Sequence, residues 1–260
     1  MILLMAGTAL GPPGKANPPL RDGERLTYRV SWAIVPGAGE IKVSAHQQTS
    51  AGGPQLVVTA LTSTRRIARM LLPFDAEANS TFDLKTGRLV SLQENSNQRG
   101  KISEHRVTFD YDTRQASYVG GKAPGETRQL TIPEGDPTDL IMGLLQTRSW
   151  NLKIGEKQDA LVLFNTDFYE LTIYHAGTEE VRTPLGKFQT IVLQPRMEKT
   201  APKGMFKRGS TVRVWISQDE RRLPVKFEVE FKIGTGTATL EAYEGPALSP
   251  PPPHAKDSRP

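Results

Sequence analysis

Residues 225–233 alternate without a break: Val225, Phe227, Val229, Phe231 and Ile233 are apolar, and Lys226, Glu228, Glu230 and Lys232 stand between them. A period of two puts every apolar side chain on one face of an extended strand and every charge on the other. Such a segment cannot present a single apolar stripe as a helix, so it commits the C-terminal region to a half-buried sheet. Its flanks agree. Thr211–Ser217 reads as the preceding strand, Gln218–Leu223 as a charged turn, and Gly236–Tyr243 as a strand pairing back after Gly234.

The N-terminal region repeats the pattern. Leu26, Tyr28, Val30, Trp32 and Ile34 alternate with Thr27, Arg29, Ser31 and Ala33, and Pro36–Gly39 is expected to turn the chain. Ile41, Val43 and Ala45 alternate on the return, and Leu56–Leu61 gives a third strand. Two segments share the pattern Phe-Asp-x-x-Thr, Phe82–Thr86 and Phe109–Thr113. In each, the Asp side chain is expected to bond the backbone of a tight turn between strands. Further strands are expected at 160–164, 168–174 and 188–193.

Two short helices interrupt this. One covers about Ser63–Leu72, with Ile67, Met70 and Leu71 on one face beside Arg65, Arg66 and Arg69. The other begins at Asp136-Pro137, with Asp as cap and Pro in the first helical position, and runs to about Trp150. The predicted fold class is therefore all-β: antiparallel meanders forming curved sheets or an incomplete barrel, with two short helices. The chain divides into a leader-like stretch (1–21), an N-terminal β half (22–135), a helix-plus-β half (136–245) of the same or a closely packed domain, and a Pro-rich tail (246–260).

Composition narrows function mainly by exclusion. There is no cysteine, which removes disulfides, thiolate metal sites and a cysteine nucleophile. The four histidines are scattered without a carboxylate or second histidine at ligand spacing, so no metal or other cofactor is expected. No Gly-x-Ser-x-Gly elbow or phosphate-binding loop occurs, and no catalytic residue is assigned. The net charge of +5 is spread along the chain, without the basic stripe of a nucleic-acid binder. Met1–Gly11 is apolar, too short to span a bilayer and followed by small residues, which predicts an exported protein.

Candidate ligand-binding residues come from two basic–apolar segments and one arginine. Arg65, Arg66 and Arg69 flank apolar residues in the first helix. Met205, Phe206 and Lys207 form a loop of Met and Phe among cations. Both suit an anionic amphiphile or membrane surface; the plainer reading is that their apolar residues cover an open end of the core. Arg222 sits in the 217–225 turn, either as a clamp that fixes the hairpin or as a ligand contact.

Several motifs together resemble the bacterial domain-of-unknown-function 3108 family: Gly23-Glu-x-Leu-x-Tyr28-x-Val-Ser-Trp32, Gly37-x-Gly-Glu40, Thr183-x-x-Gly-Lys-Phe188, Gly204-Met-Phe-x-x-Gly209 and Val214-Trp-Ile-Ser-x-Asp-x-x-Arg222-x-Pro-Val225. The resemblance implies an exported, mostly β envelope protein and supplies no catalytic residues. The expectation is a non-catalytic periplasmic or cell-envelope protein that binds a lipid-like amphiphile or a glycan, or assists envelope assembly, with peripheral membrane contact. The alternatives are a hydrolase acting on envelope polysaccharide or lipid, and a scaffold for envelope proteins.

Overall fold

The computed structural model describes residues 18–120, 126–201, 206, 210–231 and 234–246. Among these residues fifteen strands form one continuous sheet. In chain order they are β1 (Arg25–Trp32), β2 (Val35–Ser50), β3 (Gly53–Thr64), β4 (Phe74–Asp83), β5 (Leu89–Gln98), β6 (Lys101–Asp110), β7 (Gln115–Gly120), β8 (Glu126–Thr131), β9 (Thr138–Asp139), β10 (Lys157–Phe164), β11 (Asp167–Thr183), β12 (Gly186–Arg196), β13 (Thr211–Ser217), β14 (Pro224–Phe231) and β15 (Gly234–Glu244). Helix α1 (Arg66–Leu71) joins β3 to β4, and α2 (Leu140–Gln146) follows β9 and runs into a 3-10 turn, Thr147–Ser149.

Strands β1 to β8 form one meander, β10 to β15 another, and β1 pairs with β15 to join them. All ladders are antiparallel except the short pairing of β9 with β10. The edges, β8 and β9, do not meet, so the sheet is not a closed barrel. It curls all the same: β11 touches β14 and β15, three and four places away along the sheet.

Register carries one apolar row across the concave face. Leu26 lies opposite Val43, Val43 opposite Ala60, and Ala60 opposite Ala78. Because neighbouring inward residues are aligned, the alternation in each strand adds up to a single wall. Helix α2 lies against it. Met142 and Leu145 belong to the main core cluster, which draws on both halves of the sheet, and Leu144 to a second cluster with Val162, Ile173 and Ile191.

The two Phe-Asp-x-x-Thr turns form as expected. Asp83 Oδ1 accepts from the amides of Lys85 (2.9 Å) and Thr86 (2.7 Å), and Asp110 Oδ1 from those of Asp112 (3.0 Å) and Thr113 (3.1 Å). Several boundaries differ from expectation. The first helix starts at Arg66, not Ser63, because Ser63-Thr64 continues β3. The first hairpin turns at Ala33-Ile34, and Pro36–Gly39 lies within β2. The second helix begins at Leu140 and is capped by Asp139, not Asp136, because Thr138-Asp139 is held extended against Val162-Leu163. Asp136 pairs instead with Arg88 (2.8 Å).

Candidate functional site

The inward residues of β1 grade from sealed to open along the strand. Leu26 and Tyr28 are buried, Val30 is half-buried and Trp32 is 36% exposed. The same gradient runs from Leu240 through Ala238 to Gly236 on β15, and from Val225 to Val229 on β14. Together they bound a cavity of about 260 Å³ whose walls include Tyr28, Val30, Trp32, Ile41, Phe227 and Val229. Ile141, Leu144 and Leu145 of α2 complete the lining. The mouth lies at the Trp32 end.

Local chemistry shapes this space. The Tyr28 hydroxyl donates to the carbonyl of Pro224 (2.9 Å), so this polar tip in the wall is tied to backbone. Burial pushes that phenol well above its ordinary pKa, and it stays neutral. Its ring meets Phe227 edge-on, with centroids 5.3 Å apart. Gly236 lets the Trp32 indole lie flat on β15, since a Cβ there would fall 3.2 Å from the ring. Gly143 does the same for α2: a Cβ would stand 3.0 Å from Val162 Cγ1 and 3.2 Å from Thr138 Cγ2.

Asp139 anchors the start of α2 from beneath. Its carboxylate accepts from the Met142 amide (3.0 Å) and from Ser80 Oγ on β4 (2.6 Å). Burial raises its pKa, while the Ser80 bond opposes the rise. Next along the concave wall, Glu94 on β5 lies 3.3 Å from His105 Nε2 on β6. Burial, then the nearby Asp139, pushes the Glu94 carboxyl up to about 7. Burial lowers the pKa of His105, whose ring stacks on Tyr118.

The end of α2 is held by a buried ion pair. Arg148 forks onto Glu24, Nη1 to Oε2 at 3.1 Å and Nη2 to Oε1 at 3.0 Å, and Nη2 also reaches the Arg221 carbonyl (2.7 Å). Glu24 further accepts from the Tyr243 hydroxyl (3.0 Å) and the Arg21 amide (2.7 Å). The site therefore has an apolar pocket, a helical wall, and polar anchors at both ends of that helix.

The sequence-predicted site residues do not line this cavity. Arg65 pairs with Glu40 (2.7 Å), holding that carboxyl below its usual range with help from Lys42. Arg69 grips Asp75 with two bonds of 2.8 Å and depresses its pKa. Arg66 makes no ion pair among the described residues. All three are at the end of the sheet where the cavity opens, since Arg65 N donates to Ala38 O near the start of β2. Phe206 packs on the core cluster of Ile173 and Val214. Met205 and Lys207 lie outside the described residues. Arg222 donates to the carbonyls of Arg148 (3.1 Å) and Trp150 (2.7 Å), so it secures the chain leaving α2. Ser217 Oγ donates to Asp219 (2.6 Å) and accepts from the Leu223 amide (2.7 Å), which makes it a turn brace. Among the described residues no three His, Asp or Glu side chains gather as a metal site.

Sequence reasoning did not single out the cavity, Glu24 or Arg148. The walls were visible as alternating strands, but which strands face each other depends on the curl. Glu24 carried one signal, its place in the Gly23-Glu-x-Leu motif.

A family model described as a protein of unknown function, DUF3108, matches residues 27–241. The chain belongs to the DUF3108 family. No curated protein sequence matches it. Among solved structures it is similar to a β-barrel-like protein of the DUF1849 family from Brucella abortus, with TM-score 0.52 and 8% identity over 86% of this chain and 98% of that one. That likeness supports the curled-sheet fold and nothing finer. A candidate lipoprotein from Parabacteroides distasonis matches with TM-score 0.36 and 9% identity over 88% and 99% of the two chains. A candidate exported protein of YmcC-like fold from Bacteroides fragilis gives TM-score 0.38 and 11% identity over 88% and 99%. Both scores are too low to support argument.

Proposed function

We propose that this DUF3108 protein is a non-catalytic periplasmic or cell-envelope protein that holds the apolar chain of an amphiphile in the cavity beside α2. The observation that carries the reading is the cavity itself: aliphatic and aromatic side chains line it, and it opens at Trp32. A half-open cavity with so apolar a lining, beside an exposed tryptophan, suits a short apolar segment of a ligand. The apolar, leader-like N-terminus supports export.

Volume sets the scale. If a methylene occupies about the ~30 Å³ of a water molecule, roughly eight fit in 260 Å³. At ~0.8 kcal/mol per buried methylene they contribute about 6 kcal/mol of transfer free energy, from which the cost of immobilising the ligand is subtracted. The cavity thus takes one segment of one chain, with the polar head left outside near Trp32.

Native mass spectrometry of protein purified from envelope without detergent, with organic extraction of the same sample, tests this. A bound acyl-chain compound in one-to-one ratio is the expected result. Apo protein that also fails to take up added long-chain fatty acid contradicts it.

A further inference from the structure

Helix α1 presents its apolar face to water. Its six residues place Ile67, Met70 and Leu71 at the i, i+3, i+4 spacing of one helical face, and these are 64%, 83% and 70% exposed. No residue of the helix is buried, and no side chain caps its start. A helix this short is not stable by itself. It is held by polar ties instead: Arg69 to Asp75, Thr64 Oγ1 to the Leu72 carbonyl (2.9 Å) and Arg99 to the Leu71 carbonyl (2.7 Å). The fold therefore fixes an amphipathic helix with its oily side turned outward, where a helix serving the core would have it inward.

The surroundings say what covers it. Ile34, 95% exposed, projects from the neighbouring β1–β2 turn. Among the described residues Arg65 and Arg69 pair with Glu40 and Asp75, which leaves Arg66 and Arg99 as cations without an ion-pair partner near the apolar face. Arg66 lies beside Gly37 at the start of β2, with its Nε 3.5 Å from where a Cβ on that glycine would stand. A cluster of exposed aliphatic side chains ringed by excess arginine complements a layer with an apolar interior and anionic headgroups.

We infer that α1 and the β1–β2 turn dock this protein on an anionic lipid bilayer, with Ile34, Ile67, Met70 and Leu71 inserted at the headgroup boundary. The mouth of the cavity is at the same end, so a docked molecule presents the cavity to the lipid surface. That last consequence rests on the amphiphile reading; the docking itself does not.

Co-sedimentation with vesicles tests it, using the full chain, equal parts phosphatidylglycerol and phosphatidylcholine, and phosphatidylcholine alone as control. Binding to the mixed vesicles and little to the control is expected. Arg66→Glu should weaken the mixed-vesicle binding by more than the roughly fivefold expected for loss of one positive charge. Met70→Asp with Leu71→Asp should abolish it, and both positions are exposed enough that circular dichroism and melting stay unchanged. These variants should keep fatty-acid uptake in solution, whereas Val30→Trp should lose uptake and keep vesicle binding. That cross-pattern separates failure of docking from failure of the cavity reading. Equal binding to both vesicle types, no binding to either, or unchanged binding by the Met70/Leu71 variant would overturn the inference; a protein partner for this face would appear as the second of these.

Discussion

Replacing Arg148 with alanine should destabilise the protein more than any exposed substitution. Glu24 is fully buried, and Arg148 supplies two of its hydrogen bonds as well as its countercharge. Removing one member of such a pair strands the other charge in a low-dielectric site, at a cost of about 3–5 kcal/mol. The bond from Arg148 to the Arg221 carbonyl is lost too. For a domain of this size each kcal/mol moves the melting temperature by about 2–4 °C, so a drop on the order of 10 °C is expected. Urea denaturation of Arg148→Ala, Glu24→Met, Arg148→Met and the Glu24→Met/Arg148→Met double variant separates the pair from the packing. The double variant should lose less than the two single Met losses summed, because no unpaired charge remains, although the Tyr243 hydroxyl, Arg21 amide and Arg221 carbonyl lose their partners. If Arg148→Ala costs less than about 1 kcal/mol, the ion pair is not what closes this end of the sheet, and the reasoning fails.

Other outcomes follow from the same geometry. Tyr28→Phe removes the bond to the Pro224 carbonyl and should cost about 1 kcal/mol in urea melts while leaving fatty-acid uptake intact. Glu94 has its native pKa raised to about 7, so its stabilising contribution is complete below the unfolded carboxylate value and is lost as pH rises through 7. Glu94→Gln should therefore be more stable than the parent at about pH 8, and thermal melts should show the difference vanish near about pH 4. Asp139 and His105 face the same carboxylate, and because they are present in both proteins the comparison isolates Glu94. Gly143→Leu should push α2 off β10, seen as early unfolding of the α2 amides in hydrogen exchange.

Much of the fold was legible because period-two patterning is local. The 225–229 alternation, the β1 row and both Asp turns appear where the residues place them. The misplaced first turn has a specific cause. Pro and Gly at 36–39 read as a turn, but Gly39 is there for close approach to β3, where a Cβ would fall 2.9 Å from the Ser63 carbonyl. Gly37 adopts φ +63° within the strand, beside Arg66. Glycine signals both needs with one letter. The cap of α2 was misread because a β-bridge to β10 holds Thr138-Asp139 extended, and that pairing spans distant parts of the chain.

The candidate site was less legible. Ile67, Met70 and Leu71 have the spacing of a core-facing stripe, yet the stripe faces outward. In the sequence Arg222 reads as a hairpin clamp or ligand contact; its carbonyl partners at 148 and 150 lie more than seventy residues away. The cavity depends on how far a fifteen-stranded sheet curls before its two halves meet across α2. Curl is a sum of small strand twists, and no single residue encodes it.

Trp32 offers the most direct test of the amphiphile reading, since it stands at the cavity mouth with its ring over Gly236. Fatty acids brominated at successive positions along the chain, titrated into the protein, should quench tryptophan emission saturably, most strongly for bromines near the carboxyl end. Trp32→Phe should remove that position-dependent quenching. Equal, non-saturating quenching by all positions, or quenching unchanged in Trp32→Phe, would mean that no acyl chain enters this pocket.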